Sequence, residues 1–186
     1  MTVATEEPAV QTPPAVASEP AAAPQPETQT HDILIISYSG DLEKIWAMMI
    51  LASTAGAMGA KTRVFVTFWG LPAFVKDSRR ITGENWMQKM MSFMKRPGIS
   101  HRKMSTMNFL GMGPWMLSSL AKKYKAAGPK ELLEAAQAMG VEFLPCQMTM
   151  DLFGLKREDF IEGMGEPVGA ATVIGLMTEG SAPLFI

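Results

Sequence analysis

The chain has 186 residues, 47% of them hydrophobic, and a formal net charge of −1, so it is sized for one domain with a substantial core. Its single cysteine excludes an intrachain disulfide scaffold, and with two histidines it cannot fill a tetrahedral zinc site without outside help. There is no uncharged apolar run of about 18 residues and no basic stretch leading into an apolar one at the start, so a cytoplasmic protein without a signal peptide or an integral membrane segment is expected.

Charge is unevenly spread. Residues 1–30 hold Glu6, Glu7, Glu19 and Glu27, no Lys or Arg, and six of the thirteen prolines. A stretch of Ala, Pro, Glu, Gln and Thr cannot bury enough apolar surface to offset its ordering entropy, which predicts a disordered tail over 1–30 and a folded domain over 31–186. Residues 76–130 carry twelve Lys/Arg against Asp77 and Glu84, a net of +10. That excess reads as a solvated helical face balanced by acids elsewhere, with an acidic partner, a nucleic acid or an anionic membrane surface as the functional alternatives; of these, no nucleic acid is expected as a partner.

Order begins at His31 or Asp32. Ile33-Leu34-Ile35-Ile36-Ser37 is a continuous apolar run, the pattern of a central strand covered on both faces. Tyr38-Ser39-Gly40-Asp41 makes a turn, with Ser39 or Asp41 placed to cap a helix over about 42–58. A second strand is predicted over 62–68, stopping at Trp69-Gly70-Leu71-Pro72. Strand, helix and strand in about forty residues form a βαβ unit with parallel strands. The Ser39-Gly40 turn lacks GxGxxG and GxxxxGK[ST], so it carries no nucleotide signature.

The middle of the chain is methionine-rich. Met87, Met90, Met91 and Met94 have the spacing of one helix face, followed by the basic loop 95–103 with His101. Thioethers bind soft Cu(I), but they fill cores and oligomer interfaces more often, and no metal or other cofactor is expected. A short third strand is predicted at 107–111. Helices follow over 115–126 and from Pro129 to Met139, the second with proline at its first position. A strand over 141–144 delivers Cys146. Two short helices are expected in 152–163, a helix over 168–177 and a last strand over 183–186. The sum is an α/β fold, a three-layer α/β/α sandwich around a mostly parallel five-stranded sheet.

Cys146 is the candidate nucleophile, because it lies at the end of a strand and directly before a helix-like segment. Open α/β sheets bind ligands beyond the carboxyl ends of their strands, and unpaired helix N–H groups lower a thiol pKa. Ser39 and Gly40, with Trp69 and Gly70, end the other strands and could offer hydroxyl or N–H groups to the same crevice. Met148 and Asp151 follow the cysteine, and the Asp151 carboxylate would oppose ionisation if it were close.

Several segments in order, Ser39-Gly40-Asp41-Leu42-Glu43-Lys44, Ala55-Gly56-Ala57-Met58-Gly59 and Phe68-Trp69-Gly70-Leu71, resemble the DsrE/DsrF-like family. The run from Cys146 to Gly154 and the terminal Leu184-Phe185-Ile186 fit its branch loosely labelled peroxiredoxin-like. The resemblance covers about 32–186. It implies intracellular sulfur transfer, homo-oligomers (trimers or hexamers) and a cysteine carrying sulfane sulfur as a persulfide, a possible sulfurtransferase. The partners implied are a sulfur donor or acceptor protein or a small persulfide. Relatives often place the reactive cysteine mid-chain, where this sequence has none, so Cys146 alone matches. The alternatives are a non-catalytic oligomeric binding or scaffold protein of the same fold and a one-cysteine peroxidase. The latter lacks the threonine expected three positions before its cysteine, since residue 143 is Phe.

Overall fold

The computed structural model describes residues 32–77, 98, 99, 103, 112–179 and 181–186. The tail, the methionine stripe at 87–94, His101 and the predicted strand at 107–111 lie outside these residues.

The described elements are β1 (Ile33–Ser37), α1 (Leu42–Ala57), β2 (Thr62–Val66), a 3₁₀ turn (Phe68–Phe74), α2 (Met112–Lys123), α3 (Pro129–Ala138), β3 (Glu142–Pro145), α4 (Gln147–Phe153), a 3₁₀ turn (Arg157–Asp159), α5 (Ala170–Thr178) and β4 (Ala182–Phe185). The sheet is parallel throughout, in the order β3-β2-β1-β4. It has four strands among the described residues where the sequence suggested five, because the remaining candidate falls outside them.

Two helical layers cover the sheet. Ile35, Val64, Val66 and Phe143 point to one face, packed by Ile45, Met48, Met49 and Ala52 of α1 and by Leu133 and Ala136 of α3. Leu34, Phe65 and Cys146 point to the other, under Val173, Leu176 and Met177 of α5. Successive strand residues face opposite sides, so covering both sides requires consecutive apolar residues, Ile33–Ile36 in β1 and Val64–Val66 in β2. The buried positions of α1, Leu42, Ile45, Met48, Met49, Ala52 and Ala55, recur at helical spacing and make its inner stripe. Pro129 opens α3 after Gly128, whose N–H donates to Glu131 Oε2 at 2.9 Å.

Some boundaries differ from the sequence reading. β2 ends at Val66 rather than 68, because Phe68 turns the chain with a φ of 42°, which no strand accommodates. The helix read over 115–126 runs instead from Met112 to Lys123, and a single 3₁₀ turn stands after α4 where two short helices were expected in 152–163. α5 starts at Ala170, since Val168 is drawn into a bridge with Cys146. No helix among the described residues is long and apolar enough to cross a membrane.

Candidate functional site

Parallel strands deliver all four carboxyl ends to one edge of the sheet, and the strand order sorts the candidate residues along it. β1 stands two positions from β3, with β2 between them. At about 4.8 Å per strand, the Ser37–Gly40 turn lies roughly 10 Å from the end of β3, too far for direct contact with Cys146. The Ser39 hydroxyl donates to Asp41 Oδ2 at 3.0 Å, which also receives Lys44 at 3.1 Å. Tyr38 stacks on Phe185 with ring centroids 4.9 Å apart, at the carboxyl ends of the paired strands β1 and β4, where the strand order reverses.

Cys146 follows β3 and is the N-cap residue of α4. Its N–H donates to Val66 O at 2.9 Å, continuing the β2–β3 ladder, and its side chain is only 4% exposed. The element beside it is the end of β2, and two threonines that sequence reasoning did not single out occupy that junction. Thr149, fully buried, lies one turn into α4, and its Oγ1 is 3.0 Å from Thr67 Oγ1. The same oxygen accepts the Phe68 N–H at 3.2 Å. Phe68 reaches this position through its left-handed backbone, a conformation uncommon for a bulky residue and concentrated at functional loops.

Opposing effects act on the thiol. Burial pushes its pKa up, while the Thr149 hydroxyl, the Thr67 hydroxyl and the N–H groups of Thr149 and Met148 pull it down. The second set wins, so the thiol sits below its ordinary range. The sulfur closes no cap hydrogen bond of standard geometry, so these groups act on it as nearby dipoles rather than as a closed cap.

The remaining candidates are placed as follows. Gly70 is buried against β1, its N–H donating to Tyr38 O and Thr67 O, both at 3.1 Å. Trp69 is 41% exposed and packs on Phe153 at the end of α4, centroids 5.4 Å apart. Met148 is exposed on α4. Asp151 accepts the Gln147 amide at 2.8 Å on the solvent side of that helix and is not among the groups that move the thiol. Thus Met148 follows Cys146 at the start of α4, Trp69 stands against the far end of that helix, and Ser39 and Gly40 belong to the β1 end. A threonine three residues after a helix-capping cysteine was the readable signal for Thr149; nothing local marked Thr67. A cleft of about 240 Å³ lies on the opposite face, lined by Ala73, Lys130, Leu133, Glu134 and Ile161, away from the thiol. Among the described residues no cluster of three His, Cys, Asp or Glu side chains could hold a metal ion.

Comparison with known proteins finds relatives over most of the chain. The chain is 35% identical over 158 residues to the uncharacterized protein YrkE of Bacillus subtilis, covering 85% of this chain and 98% of that protein. It is 33% identical over 157 residues to the sulfur carrier protein DsrE2 of Allochromatium vinosum, covering 83% and 97%. Among solved structures it is similar to the ychN protein of E. coli, with a TM-score of 0.49 and 12% identity over 84% of this chain and 99% of that one. Residues 29–185, which include every strand of the sheet and the Cys146–Thr149 junction, match the DsrE/DsrF/DrsH-like family, and the chain belongs to it.

Proposed function

We propose that this protein is a sulfane-sulfur carrier that holds sulfur as a persulfide on Cys146. The observation that carries the reading is the thiol itself: the cysteine stands at the carboxyl edge of a parallel sheet among groups that favour its anion. The resemblance to a relative named as a sulfur carrier supports the same assignment. Loading follows as Cys146–S⁻ + R–S–SH → Cys146–S–SH + R–S⁻. The new S–S bond forms on the sulfane sulfur, the old one breaks, and its electron pair leaves with the donor thiolate. No net oxidation occurs and no cofactor is needed. The donor and acceptor are a small persulfide or a protein cysteine, in the cytoplasm, and the carrier works as a homo-oligomer, a trimer or hexamer.

The test is mass spectrometry of the intact protein after polysulfide treatment. A gain of one sulfur atom, lost on reduction and absent from Cys146→Ser, supports carriage. A wild-type protein that gains nothing, yet is alkylated normally once unfolded, refutes it. A non-catalytic oligomeric binding module is the second reading. One observation favours it: Cys146 is buried, while large apolar side chains such as Trp115 and Phe185 are each 70% exposed and available to a partner.

A further inference from the structure

Helix α2 buries only Gly113, and its large apolar side chains face outward. Met112 is 60% and Trp115 70% exposed, and Met116 and Leu120 are exposed with them. At positions i, i+3, i+4 and i+8 these four lie on one side of the helix, so they form a continuous patch. With whole side chains of ~200 Å², the patch shows roughly 400–450 Å² to solvent, the size of patches that mark contact sites. That is about half of the ~800 Å² per partner in a standard protein interface, too little to hold a stable dimer. Charge indicates what the patch meets. Lys122, Lys123 and Lys125 are exposed at its carboxyl end, and no Asp or Glu occurs between Met112 and Lys130. Cations suit the negative end of the helix dipole, but that does not account for the bare apolar residues beside them. A second copy packed across a two-fold axis would meet the same lysines and find no acid on the helix to pair with them. Ser119, inside the apolar arc, donates its hydroxyl to Trp115 O at 2.8 Å, so the face needs no hydrogen-bonding partner there.

We propose that α2 docks the protein on an anionic membrane surface, with Met112, Trp115, Met116 and Leu120 at the boundary of the acyl chains and Lys122, Lys123 and Lys125 on the lipid phosphates. At ~1.5 Å per residue the helix is about 18 Å long, short of the ~30 Å hydrocarbon core, so it lies along the surface and does not cross it. Its aromatic residues suit that boundary. Trp115 carries an indole N–H at the edge of an apolar body, and the 73% exposed Tyr124 ring follows the helix with Lys123 Nζ 5.9 Å from its centroid. The lysine stems can lie along the apolar patch while their ammonium groups reach the phosphates. The docking surface is independent of the chemistry assigned to Cys146 and gives the protein a place to work, whichever residue does the work.

The experiment is co-sedimentation of the full chain with vesicles of equal parts phosphatidylglycerol and phosphatidylcholine, against phosphatidylcholine alone, with tryptophan emission recorded in parallel. Binding to the anionic vesicles that weakens with salt is expected, with a blue shift of emission that Trp115→Phe removes. Changing Lys122, Lys123 and Lys125 together to Gln should weaken partitioning roughly a hundredfold, at about fivefold for each lysine near an anionic surface. The pair Trp115→Ser and Met116→Ser should weaken it by roughly tenfold or more. Circular dichroism checks that each variant folds, and where the serine pair does not, Trp115→Ser alone takes its place. Wild type that does not bind, that binds neutral vesicles equally, or that is matched by its folded variants overturns the proposal. So does capture on immobilised polyglutamate without vesicle binding, which would assign the face to an acidic protein. A fall in assembly mass in the variants, again without vesicle binding by wild type, would assign it to a second copy and overturn the proposal as well.

Discussion

Gly70→Ala perturbs the candidate site from outside it. A Cβ at this position would stand 2.8 Å from Ser37 O, 3.2 Å from Ser37 Oγ and 3.3 Å from the Ser37 carbonyl carbon. Relief to ordinary contact requires a movement of about 0.6 Å, and core overpacking of this kind costs roughly 1–3 kcal/mol. Ser37 cannot supply the movement: it is 1% exposed, lies in β1 between β2 and β4, and its oxygen already accepts the Thr67 N–H at 2.9 Å. The turn Phe68–Phe74 must therefore move outward and carry Phe68 with it. The Phe68 N–H to Thr149 Oγ1 bond, at 3.2 Å, is already long, and its loss removes about another 0.5–1.5 kcal/mol. Together these lower the melting temperature by roughly 3–18 °C for a domain of this size. Because Thr149 loses its fixed donor, the alkylation midpoint of Cys146 should also rise. Differential scanning calorimetry and iodoacetamide kinetics measure the two effects. A variant that melts within about 1 °C of wild type and keeps its alkylation profile would refute both the steric argument and the link from this turn to the thiol.

Other perturbations have equally definite outcomes. Phe143→Ala empties a fully buried position that packs against Phe74, centroids 5.5 Å apart, and should cost about 3–5 kcal/mol in urea unfolding, with a cost below about 1 kcal/mol contradicting the packing described. Gly154→Ala places a side chain at φ 67° where α4 ends; a loss of roughly 1 kcal/mol is expected, and none if that cap is not formed in solution. The lowered thiol pKa also sets a sign for pH dependence, because the folded state favours the anion more than the unfolded chain does. The contribution of Cys146 to stability is complete above the ordinary thiol range and is lost as pH falls through the folded midpoint. The stability of wild type relative to Cys146→Ser should therefore grow between neutral pH and about 9; a difference that stays flat or shrinks would show that the anion is not stabilised.

How much was readable in advance depended on the range of the interaction involved. Apolar runs at 33–36 and 64–66, a helix between them and Pro129 after Gly128 are local patterns, so the order of strands and helices, the parallel α/β class and the candidacy of Cys146 could all be taken from the sequence. So could the family, which is carried by short segments in a fixed order. Element ends were less legible where one residue's backbone decided them. Nothing in the chemistry of a phenylalanine announces the left-handed turn at Phe68, which ends β2 two residues early.

The surroundings of the cysteine belong to the tertiary structure. Sequence reasoning grouped Cys146 with Ser39 and Gly40 because all lie at strand ends, but lateral order across a sheet is not written in any one strand. The order β3-β2-β1-β4 puts β2 next to the cysteine and removes the β1 turn by two strand spacings. Thr67 and Thr149, far apart in the chain, meet at 3.0 Å because parallel pairing brings the end of β2 level with the start of α4. The sequence by itself determined that a lone thiol would stand at the edge of a parallel sheet. Only the packing of one strand end on one helical turn brought the Thr67 and Thr149 hydroxyls together beside it, while the Asp151 carboxylate turned to Gln147.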